Sequence, residues 1–198
     1  MSISFDDSPT SLTSSLLNAL RNSSMRATFF DIGTNAQTYP QRVRDTVAAG
    51  HQVGNHTYDH PDLTTVSATE VQRQLSTTQN ILTNLVGSTP TLMRPPYGAI
   101  NDTVRTAAGQ LGLTPVIWTV DTVDWSGVTT AQIVSEALKV QPGGFVLMHD
   151  GKPNTIAAVP EIAKGLAQRG LCAGRVVYSS TPTQAWEGLS FNATVVAW

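Results

Sequence analysis

The sequence predicts an α/β fold built on a parallel sheet, either closed into a barrel or doubly wound, and three observations carry that prediction. Short β-like runs alternate with helical patterns from end to end, the arrangement that gives parallel strands joined by right-handed crossovers. Chemically suggestive residues fall at the C-terminal ends of those runs, where parallel barrels build their sites: Asp6-Asp7, His56, Arg94, Asp121 with Asp124, and His149-Asp150. The 198 residues, 40% of them hydrophobic, suffice for one globular domain with a full core. No internal repeat, low-complexity segment or linker divides them.

The strands are expected at residues 3–5, 27–32, 52–55, 92–94, 116–120 and 145–148, and helices at 12–21, 40–49, 68–86, 101–111, 131–140 and 155–169. The third helix is the clearest. Ser67 followed by Glu70 reads as a capping box, and Val71, Leu75, Thr78, Leu82 and Leu85 recur with helical period. Gly87 follows as a C-terminal breaker. The Ser/Thr-rich stretch after Cys172 shows no such pattern, and the last ~20 residues are expected to form an irregular tail.

Charged residues make up only 13% of the chain, below the usual ~25%, so Ser, Thr, Asn and Gln must cover much of the surface, a balance that suits an extracellular protein. A net charge of −2 gives no support for a nucleic-acid or anionic-membrane partner, and no apolar run approaches the ~18 residues that span a bilayer. The residues from Met1 to Asp6 read as a strand rather than a secretory leader. A secreted protein is expected, its leader lying outside this sequence. Cys172, the single cysteine, reads as a free thiol, as half of a pair with a cysteine upstream of Met1, or as a small buried hydrophobe.

The most informative segment is His56-Thr-Tyr-Asp-His60. Its two histidines stand at i and i+4, so one turn of chain can aim both imidazoles at a common ion, and Pro61 should end the turn. A catalytic zinc usually takes three protein ligands and keeps one position open, and the Asp6-Asp7 pair offers a carboxylate. Taken alone, the aspartates better suit a turn or N-cap ahead of the helix near Leu12, a preference that the histidines reverse; the blander reading of the histidines themselves is a surface or core pair. Asn55-His56-Thr57 also matches a glycosylation sequon, which we read as accidental because a glycan there would obstruct the ion. The segment lacks the glutamate that a zincin carries after its first histidine, and no Gly-x-Ser-x-Gly elbow suggests a serine nucleophile.

Five motifs occur in the order and with the domain-scale spacing of the polysaccharide deacetylases, the carbohydrate esterase family 4 with its NodB-homology domain. They are Ser4-Phe-Asp-Asp-Ser8, His56-Thr-Tyr-Asp-His60, Arg94-Pro-Pro-Tyr97, Asp121-Thr-Val-Asp-Trp125 and Leu147-Met-His-Asp150. The resemblance spans nearly the whole chain. Within the family, Arg94-Pro-Pro-Tyr-Gly98, Val116-Ile-Trp118 and Gly170-Leu-Cys172 look most like bacterial acetylxylan esterases and related chitooligosaccharide deacetylases.

The resemblance implies a distorted (β/α) barrel and a divalent metal held by Asp7, His56 and His60, with Zn²⁺ the default and Co²⁺ or Mn²⁺ compatible with the same donors. It implies Asp6 as general base, with Arg94 beside it depressing its pKa, and His149 as general acid with Asp124 fixing its tautomer and raising its pKa. The N–H of Tyr97 would help stabilise the oxyanion. Asp121 would support the site near Arg94, and Trp125 and Leu147 would wall the acetyl methyl. The blander readings are Arg94 on a surface turn, Trp125 and Leu147 as core, and Asp150 as a loop carboxylate. One residue departs from the family pattern: Ser8 stands where glycine is usual, and a positive φ there would strain the loop carrying both aspartates.

The expected activity is metal-dependent O-deacetylation of acetylxylan, with N-acetyl groups of chitooligosaccharides as further substrates. The alternative within the class is a chitin- or peptidoglycan-type N-deacetylase, and outside it a non-catalytic sugar-binding module. The expected partner is an acetylated polysaccharide or oligosaccharide, bound by a monomer.

Overall fold

In the computed structural model, residues 1–179, 184–186, 189–191 and 193–196 are described. Seven strands form one parallel sheet: β1 (Ser2–Ser8), β2 (Thr28–Asp31), β3 (Gln52–Asn55), β4 (Leu92–Met93), β5 (Thr114–Pro115), β6 (Val120–Asp121) and β7 (Phe145–His149), in the order β5-β4-β3-β2-β1-β7-β6. The helices are α1 (Thr13–Asn22), α2 (Gly33–Thr38), α3 (Pro40–Ala48), α4 (Ala68–Val86), α5 (Asp102–Gln110), α6 (Thr130–Ala137) and α7 (Pro153–Gln168). The curled sheet with its helices is the distorted (β/α) barrel that the sequence predicts.

Residues 116–120, expected as one strand, are the main correction. β5 pairs with β4 and β6 with β7, at opposite edges of the sheet. The four residues between them cross that gap: Val116 N donates to Met93 O at 2.8 Å and Thr119 N to Phe145 O at 2.9 Å. The apolar run is thus a seam that changes partners, a behaviour local composition does not encode. α2 was not expected at all, because the sequence Gly-Thr-Asn-Ala-Gln-Thr buries only Gly33 and Ala36 and has no apolar period.

β1 shows how strand alternation divides the core. On one face Ile3 and Phe5 pack with Leu16, Leu20, Ala158 and Ile162 beneath α1 and α7. On the other, Ser4 and Asp6 meet the guanidinium of Arg94. Inside the barrel Phe30, Leu92, Val116 and Phe145 join Val176 and Ala193. The last two come from β8 (Arg175–Tyr178) and β11 (Ala193–Val196), which pair antiparallel. The side-chain amide of Gln52 clasps β8, donating to Val176 O at 2.9 Å and accepting from Val176 N at 3.1 Å, so this two-stranded sheet covers the end where the strands begin.

The last stretch is therefore not simply irregular: β9 (Gln184–Trp186) and β10 (Leu189–Phe191) also pair antiparallel. The remainder of the expected tail, 180–183, 187–188, 192 and 197–198, lies outside the described residues. Cys172 is an exposed free thiol, which removes its reading as a buried hydrophobe. No helix among the described residues is long and apolar enough to cross a membrane.

The capping box expected at α4 is half formed. Ser67 Oγ accepts from Glu70 N at 3.2 Å, but the Glu70 carboxylate turns to Arg73 and Gln74. Gly87 ends the helix in the left-handed region, at φ 74°.

Candidate active site

Nine of the eleven expected site residues line one pocket of about 430 Å³ at the C-terminal end of the sheet: Asp6, Asp7, His56, His60, Tyr97, Asp121, Trp125, Leu147 and His149. Trp118 completes the lining; apart from its place in the family phrase, no sequence signal marked it. Arg94 and Asp124 lie behind, each bonded to a lining side chain.

The two aspartates face one site because the strand breaks its alternation between them. Asp7 has φ 62°, and the pairing of β1 with β2 shifts register between Phe5 and Ser8. The positive φ thus falls on Asp7 and not on Ser8, so serine in place of glycine brings no strain there. Ser8 instead donates from Oγ to Asp31 Oδ1 at 2.6 Å, and Asn35 Nδ2 of α2 holds the Asp7 carbonyl at 2.9 Å. The histidine segment is an irregular loop after β3, with φ 66° at both Thr57 and His60; Pro61 leaves His60 left-handed rather than extended. Asn55 is fully buried, its Nδ2 donating to Leu75 O at 2.9 Å, so no glycan can reach the sequon. Of six non-glycine residues with positive φ among those described, Asp7, Thr57, His60, Tyr97 and Val123 surround the pocket, the clustering of backbone strain that marks functional sites.

Asp7, His56 and His60 could hold a metal. Their ligand atoms lie within 4.8 Å of one another, with Asp7 Oδ1 3.7 Å from His56 Nε2 and 3.5 Å from His60 Nε2. Donors sharing a tetrahedral ion at ~2.1 Å sit about 3.4 Å apart, so little movement is needed. Although the Asp7 side chain is 41% exposed, its Oδ1 is itself buried and has no hydrogen-bond partner. His56 Nδ1 lies 2.7 Å from Arg94 O; that carbonyl requires the proton on Nδ1 and leaves the Nε2 lone pair toward Asp7. Burial pushes the His56 pKa down to about 3, so the ring is neutral and competent to ligate. The orphaned oxygen, the fixed tautomer and the mixed N/O donor set fit a divalent cation.

Two anchored proton-transfer groups flank these donors. Arg94 Nη1 donates to Asp6 Oδ1 at 2.7 Å and to Ser4 Oγ at 2.8 Å, and Nε donates to Val116 O at 3.0 Å. The guanidinium, fully buried, lies 4.2 Å over the Phe30 ring. Burial raises the Asp6 pKa and Arg94 only partly offsets it. The expected depression is thus reversed in sign, because the pair is removed from water as a unit. On the other side His149 Nδ1 lies 2.7 Å from Asp124 Oδ1, while Asp124 Oδ2 accepts from His149 N at 2.8 Å and Thr155 Oγ1 at 2.6 Å. Burial works to lower the His149 pKa, but the Asp124 hydrogen bond and the nearby Asp6 charge outweigh it, and the net shift is upward.

Asp121 is not an ion-pair partner of Arg94 among the described residues; its Oδ1 accepts from Val123 N at 2.8 Å, shaping the loop that carries Asp124. Tyr97, at φ 60°, sets its ring edge-on to His60 with centroids 4.8 Å apart. Trp125 is 56% exposed at the rim and Leu147 is buried in the wall. Asp150 is more than a loop carboxylate: buried, it accepts from Thr13 Oγ1 at 2.5 Å and Thr10 Oγ1 at 3.1 Å, tying the β7 loop to the β1 loop.

Gly33 is where α2 meets the histidine loop, its N–H donating to Thr57 O at 2.9 Å. A Cβ there would lie 2.6 Å from Thr78 Oγ1 and 2.8 Å from Tyr58 Cδ2. Gly33→Ala is expected to destabilise the fold by about 1–3 kcal/mol through overpacking, measured by urea unfolding; an unchanged midpoint would show that α2 and the loop can separate freely.

Comparison with known proteins gives a consistent result. Residues 1–116 match the family model described as polysaccharide deacetylase. A bifunctional xylanase/xylan deacetylase of Cellvibrio japonicus is 40% identical over 176 residues, covering 88% of this chain and 26% of that longer protein. A chitooligosaccharide deacetylase of Azorhizobium caulinodans is 38% identical over 84% of this chain and 80% of its own length. Among solved structures, a family 4 carbohydrate esterase from Streptomyces lividans in complex with acetate superposes with a TM-score of 0.89 at 41% identity, covering 100% of this chain and 96% of that one.

Proposed function

The chain belongs to the polysaccharide deacetylase family, whose members are hydrolases, and from that premise we propose that it removes O-acetyl groups from acetylxylan in a reaction that depends on a divalent metal, zinc by default. One observation carries the reading: the Asp7, His56 and His60 donors share a pocket with two carboxylate-bearing proton-transfer pairs, Asp6–Arg94 and His149–Asp124.

A divalent ion held by Asp7, His56 and His60 would supply Lewis acidity toward the acetyl carbonyl and ease deprotonation of a water beside it. Asp6 takes the proton from the attacking water. Its raised pKa makes it the stronger acceptor, and Arg94 keeps its charge compensated. His149 enters protonated and gives the Nε2 proton to the departing sugar oxygen as the acyl C–O bond breaks, so that acetate and a free hydroxyl leave. Asp124 holds the other nitrogen, stabilising the imidazolium and fixing the ring. Tyr97 N–H is the candidate donor to the developing oxyanion, and Trp125 and Leu147 offer the acetyl methyl an apolar wall.

This assignment fixes a pH profile. Because the His149 pKa is raised, its protonated form persists below that pKa, and activity should fall as pH rises through it. Asp124→Asn removes the hydrogen bond that opposes burial most strongly, together with its charge, while the Asp6 charge remains, so the alkaline limb of kcat/KM should move to lower pH. An unmoved limb would assign that titration to another group.

A second reading, N-deacetylation of chitooligosaccharides, is favoured by the relative of that activity, which this chain matches over most of both lengths. Acetate release from acetylated xylan and from chitooligosaccharides, assayed side by side, separates the two. Faster release from xylan supports the first reading, and faster release from the amide substrate replaces it with the second. No release from either by folded, zinc-loaded protein would leave a sugar-binding module as the better account.

A further inference from the structure

Gln74 is a buried amide on the inner face of α4, amid Val71, Leu75 and Thr78, where an apolar residue would serve packing better. All of its hydrogen-bonding capacity is used. Oε1 accepts from Tyr58 N at 2.8 Å and Asp59 N at 3.1 Å, and Nε2 donates to Asp59 Oδ1 at 2.5 Å and Glu70 Oε1 at 2.9 Å. Two backbone donors on one side and two carboxylates on the other leave no ambiguity about which end is oxygen. The same short loop is held on its opposite edge by α2, where Gly33 N donates to Thr57 O and Thr34 N to Tyr58 O, each at 2.9 Å.

The gripped residues lie between the two histidines. Thr57 and His60 both adopt φ 66°, a conformation costing each about 1 kcal/mol or more unless its surroundings enforce it. Glycine, which adopts it freely, is absent from positions 56 to 60. The loop therefore keeps His60 Nε2 near Asp7 Oδ1 only while its N–H and C=O groups are held from both sides.

We propose that Gln74 is a positioning residue for the metal-ligand loop: its carboxamide oxygen fixes the backbone between His56 and His60 so that both imidazoles converge on Asp7. The proposal rests on the metal-dependent reading above. It assigns Gln74 no contact with substrate, and its effect should appear in metal affinity.

The test is zinc affinity of the chelated full chain, measured by competition with a chromophoric chelator, beside urea unfolding of the metal-free protein. Gln74→Leu removes the acceptor at similar volume and should raise the zinc Kd roughly 10–100-fold, as loss of an outer partner of a metal site does. Gln74→Asn keeps the amide but draws it back by one methylene; it should weaken binding in the same direction and decides the matter if the leucine variant does not fold. Gln74→Glu keeps an acceptor toward Tyr58 and Asp59 N–H but sets a carboxylate oxygen against Asp59 Oδ1 and Glu70 Oε1, where Nε2 donates at 2.5 and 2.9 Å, so it should weaken zinc binding as well. Leu166→Ala, at the far end of α7, supplies a stability loss with no connection to the loop and should leave the zinc Kd unchanged.

Unaltered zinc affinity in the leucine and asparagine variants would overturn the proposal, as would an equal loss in Leu166→Ala. Failure of the natural protein to bind zinc would instead remove the metal reading itself, and the role of Gln74 with it.

Discussion

Asp6→Asn is expected to cut kcat by roughly 10²–10⁴-fold, the usual contribution of a positioned proton acceptor, with KM little changed. An amide of the same shape cannot take a proton from water, so the loss falls on the transition state. Zinc affinity should be unaffected, because the donors that converge are those of Asp7, His56 and His60. The substitution has a second consequence. Arg94 is fully buried and Asp6 is its only ion-pair partner among the described residues, so a neutral side chain leaves a guanidinium uncompensated. Breaking a buried pair from one side costs about 3–5 kcal/mol. The variant should therefore unfold at lower urea, and its kcat must be taken per folded molecule. Wild-type turnover in Asp6→Asn would remove Asp6 from the mechanism; normal stability would remove the claim that Arg94 needs it.

His60→Ala is expected to produce the largest loss of metal affinity. It deletes one of three ligands, so zinc binding should weaken by more than the roughly 10–100-fold that outer partners command. His60 is partly open to solvent, and its removal should disturb the fold less than loss of buried His56. Acetate release at limiting zinc should vanish and return partly at high zinc. Direct zinc titration checks the first part and the dependence of rate on added metal the second. Affinity equal to the natural protein's would mean that the ion, if bound, sits elsewhere.

How much of this was legible in the sequence depended on whether a feature is local. β3 and α4 fall on their expected bounds, because apolar period and end signals agree there. The clusters at the strand ends were legible as chemistry, since two histidines four apart and adjacent aspartates are unusual enough to notice. Features that depend on long-range partners were not. Residues 116–120 read as a strand because valine and isoleucine suit one, yet only closure of the sheet makes them a seam between β4 and β7. Nor does a strand pattern show that Asp7 itself carries the positive φ that turns both aspartates toward one site.

The sign of the Asp6 shift is likewise not a local property. Proximity of Arg94 follows from the motif, but removal of the pair from water follows from the fold. Gln74 leaves only a faint trace in the sequence: a polar residue standing between Val71 and Leu75 on the buried stripe of an amphipathic helix, a place where a polar group needs a partner. Thr155 and Asn35, which hold Asp124 and Asp7, left none, since threonine and asparagine near helix starts are common for capping alone.

The most direct test of the account is a zinc titration of the chelated protein with acetate release from acetylated xylan read at every addition. Release should be absent at the start, rise in proportion to zinc and level off at one equivalent; the same titration of His60→Ala should stay flat over that range. Undiminished release from the metal-free protein, or a rise in His60→Ala that matches the natural protein's, would contradict a reaction that depends on the site formed by Asp7, His56 and His60.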